Sequence, residues 1–372
     1  MSSKYQYNDE AVNNLRIEDT SILDRLIDHD SAREAHLKKR HDKFDKRLSL
    51  QDAIARYVND GDIVAETGFG YVRTPLQAYY EIIRQGKRNL QWIGSPVTNQ
   101  SYMHTTFATP DQPGYVHTSY VGCEMRGTDR GWDRQIKDGS IRILSDWSHG
   151  TMGQGFKAAQ FGMPFVASKQ MLASDMIKYN PYVKVIDDPW YKEQDPVVMI
   201  PALHPDVTIV HCQQADMNGN GKIMGPPVND IALAYASRHV ILTCEEVVPE
   251  LEMRFNTKDN VIPFMLVDAV VELPWGCLPG SCPGYYYWSR EWWEYGVRVG
   301  NNMDKHGGRT ADYYRYWIND TKDNYDFVDK LNASFGGVKY IDSLRRLQRG
   351  EEYLAEDKGL DFDYPQVIPI WE

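Results

Sequence analysis

The sequence nowhere holds the roughly 18 consecutive apolar residues that a membrane-spanning helix needs. Its first residues, "MSSKYQYNDEAVNN", lack the apolar centre of a secretory signal, so a cytosolic protein is expected. No CxxC pair occurs, and the five cysteines (123, 212, 244, 277 and 282) are scattered and odd in number. That suits reduced thiols better than a disulfide framework. Positive charge is in deficit: 41 Lys and Arg against 52 Asp and Glu leave a net charge of −11. A nucleic-acid partner is thereby excluded, and any polyanionic ligand must find a local basic patch. Neither GxGxxG nor a Gly-Lys-Ser/Thr phosphate loop is present, which counts against a dinucleotide cofactor or a nucleoside triphosphate. Internal repeats and low-complexity tracts are absent as well.

What remains is an ordinary globular chain, 42% hydrophobic and 25% charged over 372 residues. Three segments are expected. Residues 1–47 are highly charged and read as an exposed helical extension, with a subunit-docking arm as the functional alternative. Residues 48–285 form the core. Residues 286–372, rich in aromatics ("YYYWSREWWEYG", "DYYRYWINDTKDNYDFVDKL"), form a helical region packed on it.

Within the core, Ser49 caps a helix whose apolar residues recur at helical spacing through 58. Short apolar runs then alternate with helices. "DIVAET", "LQWIGSP", "GYVHTSYVGCE", "SIRILSD", "DVTIVHCQQAD", "HVILTCEE" and "FMLVDAVVEL" read as strands. "LQAYYEIIRQG", "GQGFKAAQFG" and "NDIALAYASR" read as helices. This alternation predicts an α/β fold with a largely parallel sheet and flanking helices.

In such folds ligands sit beyond the carboxyl ends of the strands. Three glycine-containing polar stretches fall there: 66–75, 145–155 and 213–225. The first, in "DGDIVAETGFGYVRTP", sets Gly68 and Gly70 around Phe69, just after Glu66. One reading is a tight strand-to-helix turn that needs positive φ. The other is a loop whose N–H groups meet a ligand oxyanion.

Several segments taken together resemble family I CoA-transferases, specifically the glutaconate-type A chain. The resemblance spans about residues 49–345. It is carried by "SLQDAIARYVNDGDIVAETGFGYVRTPLQAYYEIIRQG", "AAQFGMPFVAS", "IPALHPDVTIVHCQQADMNGNGKIMG", "HVILTCEEVVPELEMR" and "NVIPFMLVDAVVELPWG", in the same order and spacing. At the first turn Asp60, Gly61, Gly68, Phe69 and Pro75 match the family pattern. Thr67 replaces a glycine, Glu66 an apolar residue, and Arg73 a later glycine, the last as in the glutaconate subfamily.

The resemblance implies coenzyme A thioesters as substrates, with no permanently bound cofactor. It also implies a glutamate nucleophile in a Ser-Glu-Asn-Gly motif, which this chain lacks. In glutaconate-type enzymes a B-type chain supplies that glutamate, so the resemblance implies a hetero-oligomer that shares its active site.

Gly68, Phe69 and Gly70 are the candidate oxyanion segment, and Arg73 is a candidate bidentate clamp for a substrate carboxylate. Glu66 is a loop-stabilising carboxylate or a general base near the substrate. His149, in "SDWSHGTMG", is the candidate acid or base; C–C-hydrolysing relatives on this scaffold place a carboxylate near that position. His204, His211 and Asp216 lack metal-ligand spacing and read as core or surface groups, so no metal is expected. "ADMNGNG" reads as a structural hairpin. "WGCLPGSCPG" is either a surface connection or a wall of the substrate pocket. Hydrolysis of a thioester or β-diketone, decarboxylation, or a purely scaffolding role remain the alternatives to transfer.

Overall fold

The computed structural model of the chain describes residues 3–94, 114–121, 130–191, 193, 195–293, 315–337 and 339–348. Cys123 and the stretch from 349 onward lie outside the described residues, as does part of the aromatic region.

The first helices are α1 (Asp9–Leu15), α2 (Ser21–Asp24) and α3 (His29–Leu37). They do not form the exposed extension that their charge suggests. Leu23 and Leu26 are fully buried against Ile63, Trp147 and Phe156. The charges themselves are used for docking. Arg25 reaches Asp206 (2.7 Å) and Asp62 (3.3 Å), Lys39 reaches Asp268 (2.8 Å), and Lys46 donates to the carbonyls of Phe264 and Val267. A few apolar residues and well-aimed cations are enough to hold the segment down.

Helix α4 (Leu50–Tyr57) begins where expected, with the Ser49 hydroxyl accepting the Asp52 N–H at 3.0 Å. Next come β1 (Ile63–Ala65), α5 (Leu76–Arg84), β2 (Gln91–Ile93), β3 (Gly114–Thr118), α6 (Arg130–Asp138), β4 (Ile141–Asp146) and α7 (His149–Gln160). A second group comprises β5 (Phe165–Ser168), β6 (Lys184–Ile186) and β7 (Val197–Pro201). Then follow β8 (Val207–Ala215), β9 (Gly221–Lys222), α8 (Asp230–Ala236), β10 (His239–Val247), β11 (Asn260–Ile262) and β12 (Ala269–Glu272). Helices α9 (Asn324–Phe335) and α10 (Lys339–Gln348) close the described chain.

Seven strands form a parallel sheet in the order β12-β10-β8-β1-β2-β3-β4. The short β9 folds back antiparallel on the end of β8, and β11 pairs with it. Both faces of the sheet are covered, which is why the strands read as unbroken apolar runs. Val64 and Trp92 point into a layer with Trp292, Trp317, Phe327 and Leu344. Ile63, Ala65 and Ile93 point the other way, toward Leu23, Leu26 and Phe156. Trp292, Trp293, Trp317, Phe327, Phe335 and Tyr340, from the aromatic region beyond 286, therefore share a core with the sheet.

A separate antiparallel sheet, β5-β7-β6, lies outside the alternating pattern expected from the sequence. Among the described residues no helix is long and apolar enough to cross a membrane.

Candidate active site

Because the seven strands are parallel, the segments that follow them share one edge. After β1, the Glu66 N–H still donates to Ile93 O (2.8 Å), and the chain then turns sharply. Phe69 and Val72 exchange two hydrogen bonds of 2.9 Å, which closes a tight loop. Gly68 has φ +78°, and a Cβ there would lie 2.5 Å from Val72 O and 2.6 Å from Thr74 N. No L side chain fits in that space. The tight-turn reading of this glycine is thus correct in geometry.

The amides of the turn are largely occupied. The Gly68 N–H donates to Asp230 Oδ1 at 3.1 Å, and the Phe69 N–H donates to Val72 O. Neither is turned outward in this chain alone, in contrast to the expected oxyanion donors. The Phe69 side chain is 46% exposed and Gly70 half-buried, so these two residues form the outer rim.

Arg73 also departs from expectation. It is fully buried, and its guanidinium grips Asp230 with both terminal nitrogens at 3.1 Å while donating to Pro226 O at 2.7 Å. A substrate clamp needs an accessible guanidinium, and this one has an internal bidentate partner instead. Its backbone is left-handed, φ +57°, at the position where the family pattern carries glycine. Such a conformation costs a non-glycine residue about 1–3 kcal/mol, and the buried contacts with Asp230 and Pro226 O hold Arg73 in it.

Glu66 is buried at the end of β1, near the Tyr79 hydroxyl, which accepts the Thr67 N–H (3.1 Å). Thr67 in turn donates to Ile209 O at 2.6 Å, tying the turn to β8. The departures from the family pattern at 66 and 67 are therefore built into the core of the turn.

The "WGCLPGSCPG" loop buttresses the same turn from behind. Arg73 N–H donates to Ser281 O (2.8 Å), and Ser281 N–H donates to Tyr71 O. Tyr71 stacks on Trp288 with ring centroids 4.7 Å apart. Cys277 through Ser281 are buried, so the loop is an internal support and not a surface connection.

His149 is the first residue of α7, behind a Ser148/Thr151 capping box. It is exposed, and its Nδ1 lies 2.8 Å from Ser119 Oγ, just past β3. Partial burial lowers its pKa below the ordinary histidine value. Strands β2 and β3 separate β4 from β1, so at about 4.8 Å per strand His149 and the glycine turn stand roughly 14 Å apart along the shared edge.

The other candidates are structural. His204 is a core histidine between His29 (3.0 Å) and Ala236 O (3.0 Å), its pKa pushed down to about 4, chiefly by burial. Asp216 accepts the amides of Asn218, Gly219 and Asn220 at 2.9–3.0 Å, which makes "ADMNGNG" a carboxylate-capped hairpin. His211 is buried between Thr243 and Glu245, each 2.9 Å away. Asp230 was missed by sequence reasoning. Its only signal was an acidic residue in the first turn of the "NDIALAYASR" helix.

Comparison with known proteins gives these features a context. The profile of the family described as coenzyme A transferase matches residues 47–273. The chain is 29% identical to the A chain of glutaconate CoA-transferase from Acidaminococcus fermentans, over 78% of this chain and 92% of that one. The crystal structure of that glutaconate coenzyme A-transferase superposes with a TM-score of 0.71 at 28% identity, covering 81% of this chain and 95% of its counterpart. The chain is also 29% identical to the A chain of 3-oxoadipate CoA-transferase from Pseudomonas knackmussii, over 76% and 97% of the two chains. Identity is 25% to the IpdA chain of the cholesterol ring-cleaving hydrolase of Rhodococcus jostii, over 63% and 80%.

Proposed function

The chain belongs to the coenzyme A transferase family, and from that premise we propose that it is the A-type half of a two-chain enzyme that moves coenzyme A between carboxylic acids. The observation that carries this reading is the turn from Glu66 to Thr74. It stands at the carboxyl edge of a parallel sheet with its family-matching residues Gly68 and Phe69, while Ser-Glu-Asn-Gly occurs nowhere in the sequence. A B-type chain then supplies the nucleophilic glutamate across the interface.

The chemistry divides between the two chains. The partner's carboxylate attacks the thioester carbonyl and expels CoA thiolate, leaving a mixed anhydride. The thiolate attacks the glutamyl carbonyl of that anhydride and releases the first acid, forming a glutamyl-CoA thioester. The incoming acid runs the same steps backward. In this scheme Phe69 and Gly70 meet the thioester at the rim, Gly68 holds the turn's shape, and coenzyme A enters and leaves as substrate. The acyl group carries a second carboxylate, a reading supported by relatives named for glutaconate and 3-oxoadipate.

The test is co-production with a B-type chain, incubation with a dicarboxylic acyl-CoA, and borohydride reduction. We expect a reduced glutamyl adduct on the partner and no turnover by this chain alone. Turnover by the isolated chain at the rate of the complex would refute the half-site reading.

A second reading, thioester or C–C hydrolysis, is favoured by His149. Its imidazole is exposed at the same edge, hydrogen-bonded to Ser119, and one relative is named as a hydrolase. A hydrolase forms no borohydride-reducible adduct.

A further inference from the structure

Directly behind the glycine turn, four ionisable side chains from three elements converge. His211 of β8, Glu245 of β10, and Cys277 and Cys282 of the supporting loop are all buried, with one nitrogen, one oxygen and two sulfurs within 4.8 Å of one another. We propose that these four residues bind a zinc-class divalent cation that fastens the 275–284 loop to the sheet and so fixes the turn that rests on it.

The donor set argues for this ion class. Two thiolates, an imidazole and a carboxylate are the ligands of tetrahedral zinc, and they disfavour hard ions such as magnesium or calcium. Tetrahedral bonds of about 2.0–2.3 Å give donor–donor edges of about 3.3–3.8 Å; these fit inside the 4.8 Å limit of the cluster, with the 2.9 Å His211–Glu245 pair opening slightly to admit the ion.

Two of the ligands, His211 and Glu245, are also oriented by neighbours outside the cluster, as metal ligands usually are. His211 Nδ1 faces Thr243 Oγ1 (2.9 Å), which leaves Nε2 toward Glu245 Oε1 (2.9 Å). Glu245 Oε2 accepts the Trp275 N–H at 2.7 Å, so Oε1 is the oxygen that faces the cluster. Tyr286 donates to that same Oε1 at 2.5 Å and accepts the Cys277 N–H at 3.0 Å, steadying the loop. The loop backbone comes so close to the imidazole that a Cβ at Gly276 would sit 2.6 Å from His211 Cε1.

The cluster is closed off from solvent, and two of its four donors are thiols. Thiols are weak hydrogen-bond donors, whereas thiolates are strong ligands of zinc-class ions. Binding releases the thiol protons, and any proton held between His211 and Glu245, to solvent. The two resulting thiolates match the charge of the ion, and the Arg73 guanidinium, itself paired with Asp230, also interacts electrostatically with both cysteines. The sequence signal was faint, because the C-x4-C pair, though within the range of zinc-ligand spacings, has no second Cys or His pair near it, and His211 and Glu245 stand far away in the chain.

The site is tested on the full-length chain purified without chelator, by elemental analysis and zinc K-edge X-ray absorption. We expect stoichiometric zinc with a first shell of two sulfurs and two lighter atoms. Cys282→Ser should lose most of the metal, whereas Cys244→Ser, a buried cysteine outside the cluster, should keep it. If Cys282→Ser fails to fold, the wild-type absorption spectrum decides alone. A metal-free wild-type protein, a zinc shell without sulfur, or a Cys277–Cys282 disulfide found by mass spectrometry overturns the proposal.

Discussion

Arg73 and Asp230 form a buried bidentate ion pair that ties the turn after β1 to the first residue of α8. Asp230 takes the Gly68 N–H as well, so one carboxylate sets both the shape of the turn and the left-handed backbone at Arg73. Removing one partner of such a pair strands a buried charge, at a cost of about 3–5 kcal/mol. Asp230→Ala should therefore lower stability by about that amount in urea unfolding. Arg73→Met combined with Asp230→Leu should be milder than either single change. If Asp230→Ala unfolds at the wild-type urea concentration, the pair is not what holds the turn.

Gly68 and Gly61 make a controlled comparison. Both have positive φ, +78° and +82°, but only at Gly68 would a Cβ strike backbone, while at Gly61 nothing lies within 4 Å. Gly61→Ala should cost about 1 kcal/mol from conformation alone. Gly68→Val must also displace Val72 and Thr74, and it should depress kcat well beyond any change in KM, because the turn matters most as charge develops on the thioester. Equal kcat values for folded Gly68→Val and Gly61→Ala would remove the turn from the chemistry.

Much of this framework was legible in the sequence, and the reasons are specific. Ile63, Val64 and Ala65 are apolar because each face of the sheet is covered, and Ser49 caps α4 through a local hydrogen bond. Signals of that kind lie within a few residues. Arg73 was misjudged because its partner sits at 230, and nothing near residue 73 announces that the guanidinium turns inward. The docking of residues 3–47 was missed for the same reason, since Arg25 and Lys39 look like solvated charges until Asp206 and Asp268 are placed beside them. The antiparallel β5-β7-β6 sheet escaped because its strands are short and partly exposed.

Acid should weaken the fold before carboxylates titrate. His117, enclosed by Ser145 and Gln91, and His204 have pKa values lowered by burial to about 3 and about 4, against 6.5 when solvated. Below pH 6.5 the unfolded chain takes up protons that these two buried rings refuse. Stability therefore falls as pH drops from 6.5, by up to about 1.4 kcal/mol per pH unit for each histidine. Urea midpoints at pH 7, 6 and 5 should decline, and His117→Gln should flatten the decline. A midpoint that held constant from pH 7 to 5 would contradict the assignment.

His149 is the residue that separates transfer from hydrolysis. A transferase must keep water away from an acyl anhydride and a glutamyl-CoA thioester, so an exposed base at the same edge serves it poorly. A hydrolase needs such a base, because it must activate water or remove a substrate proton, and losing it costs about 10²–10⁴-fold in rate. The Ser119 contact at 2.8 Å orients the ring, and its lowered pKa keeps the imidazole neutral at neutral pH. For a transferase, His149→Ala should slow turnover modestly and still allow the borohydride-reducible adduct to form on the partner chain. A loss of several orders of magnitude, together with a wild-type enzyme that never yields the adduct, would instead assign the chain to hydrolysis.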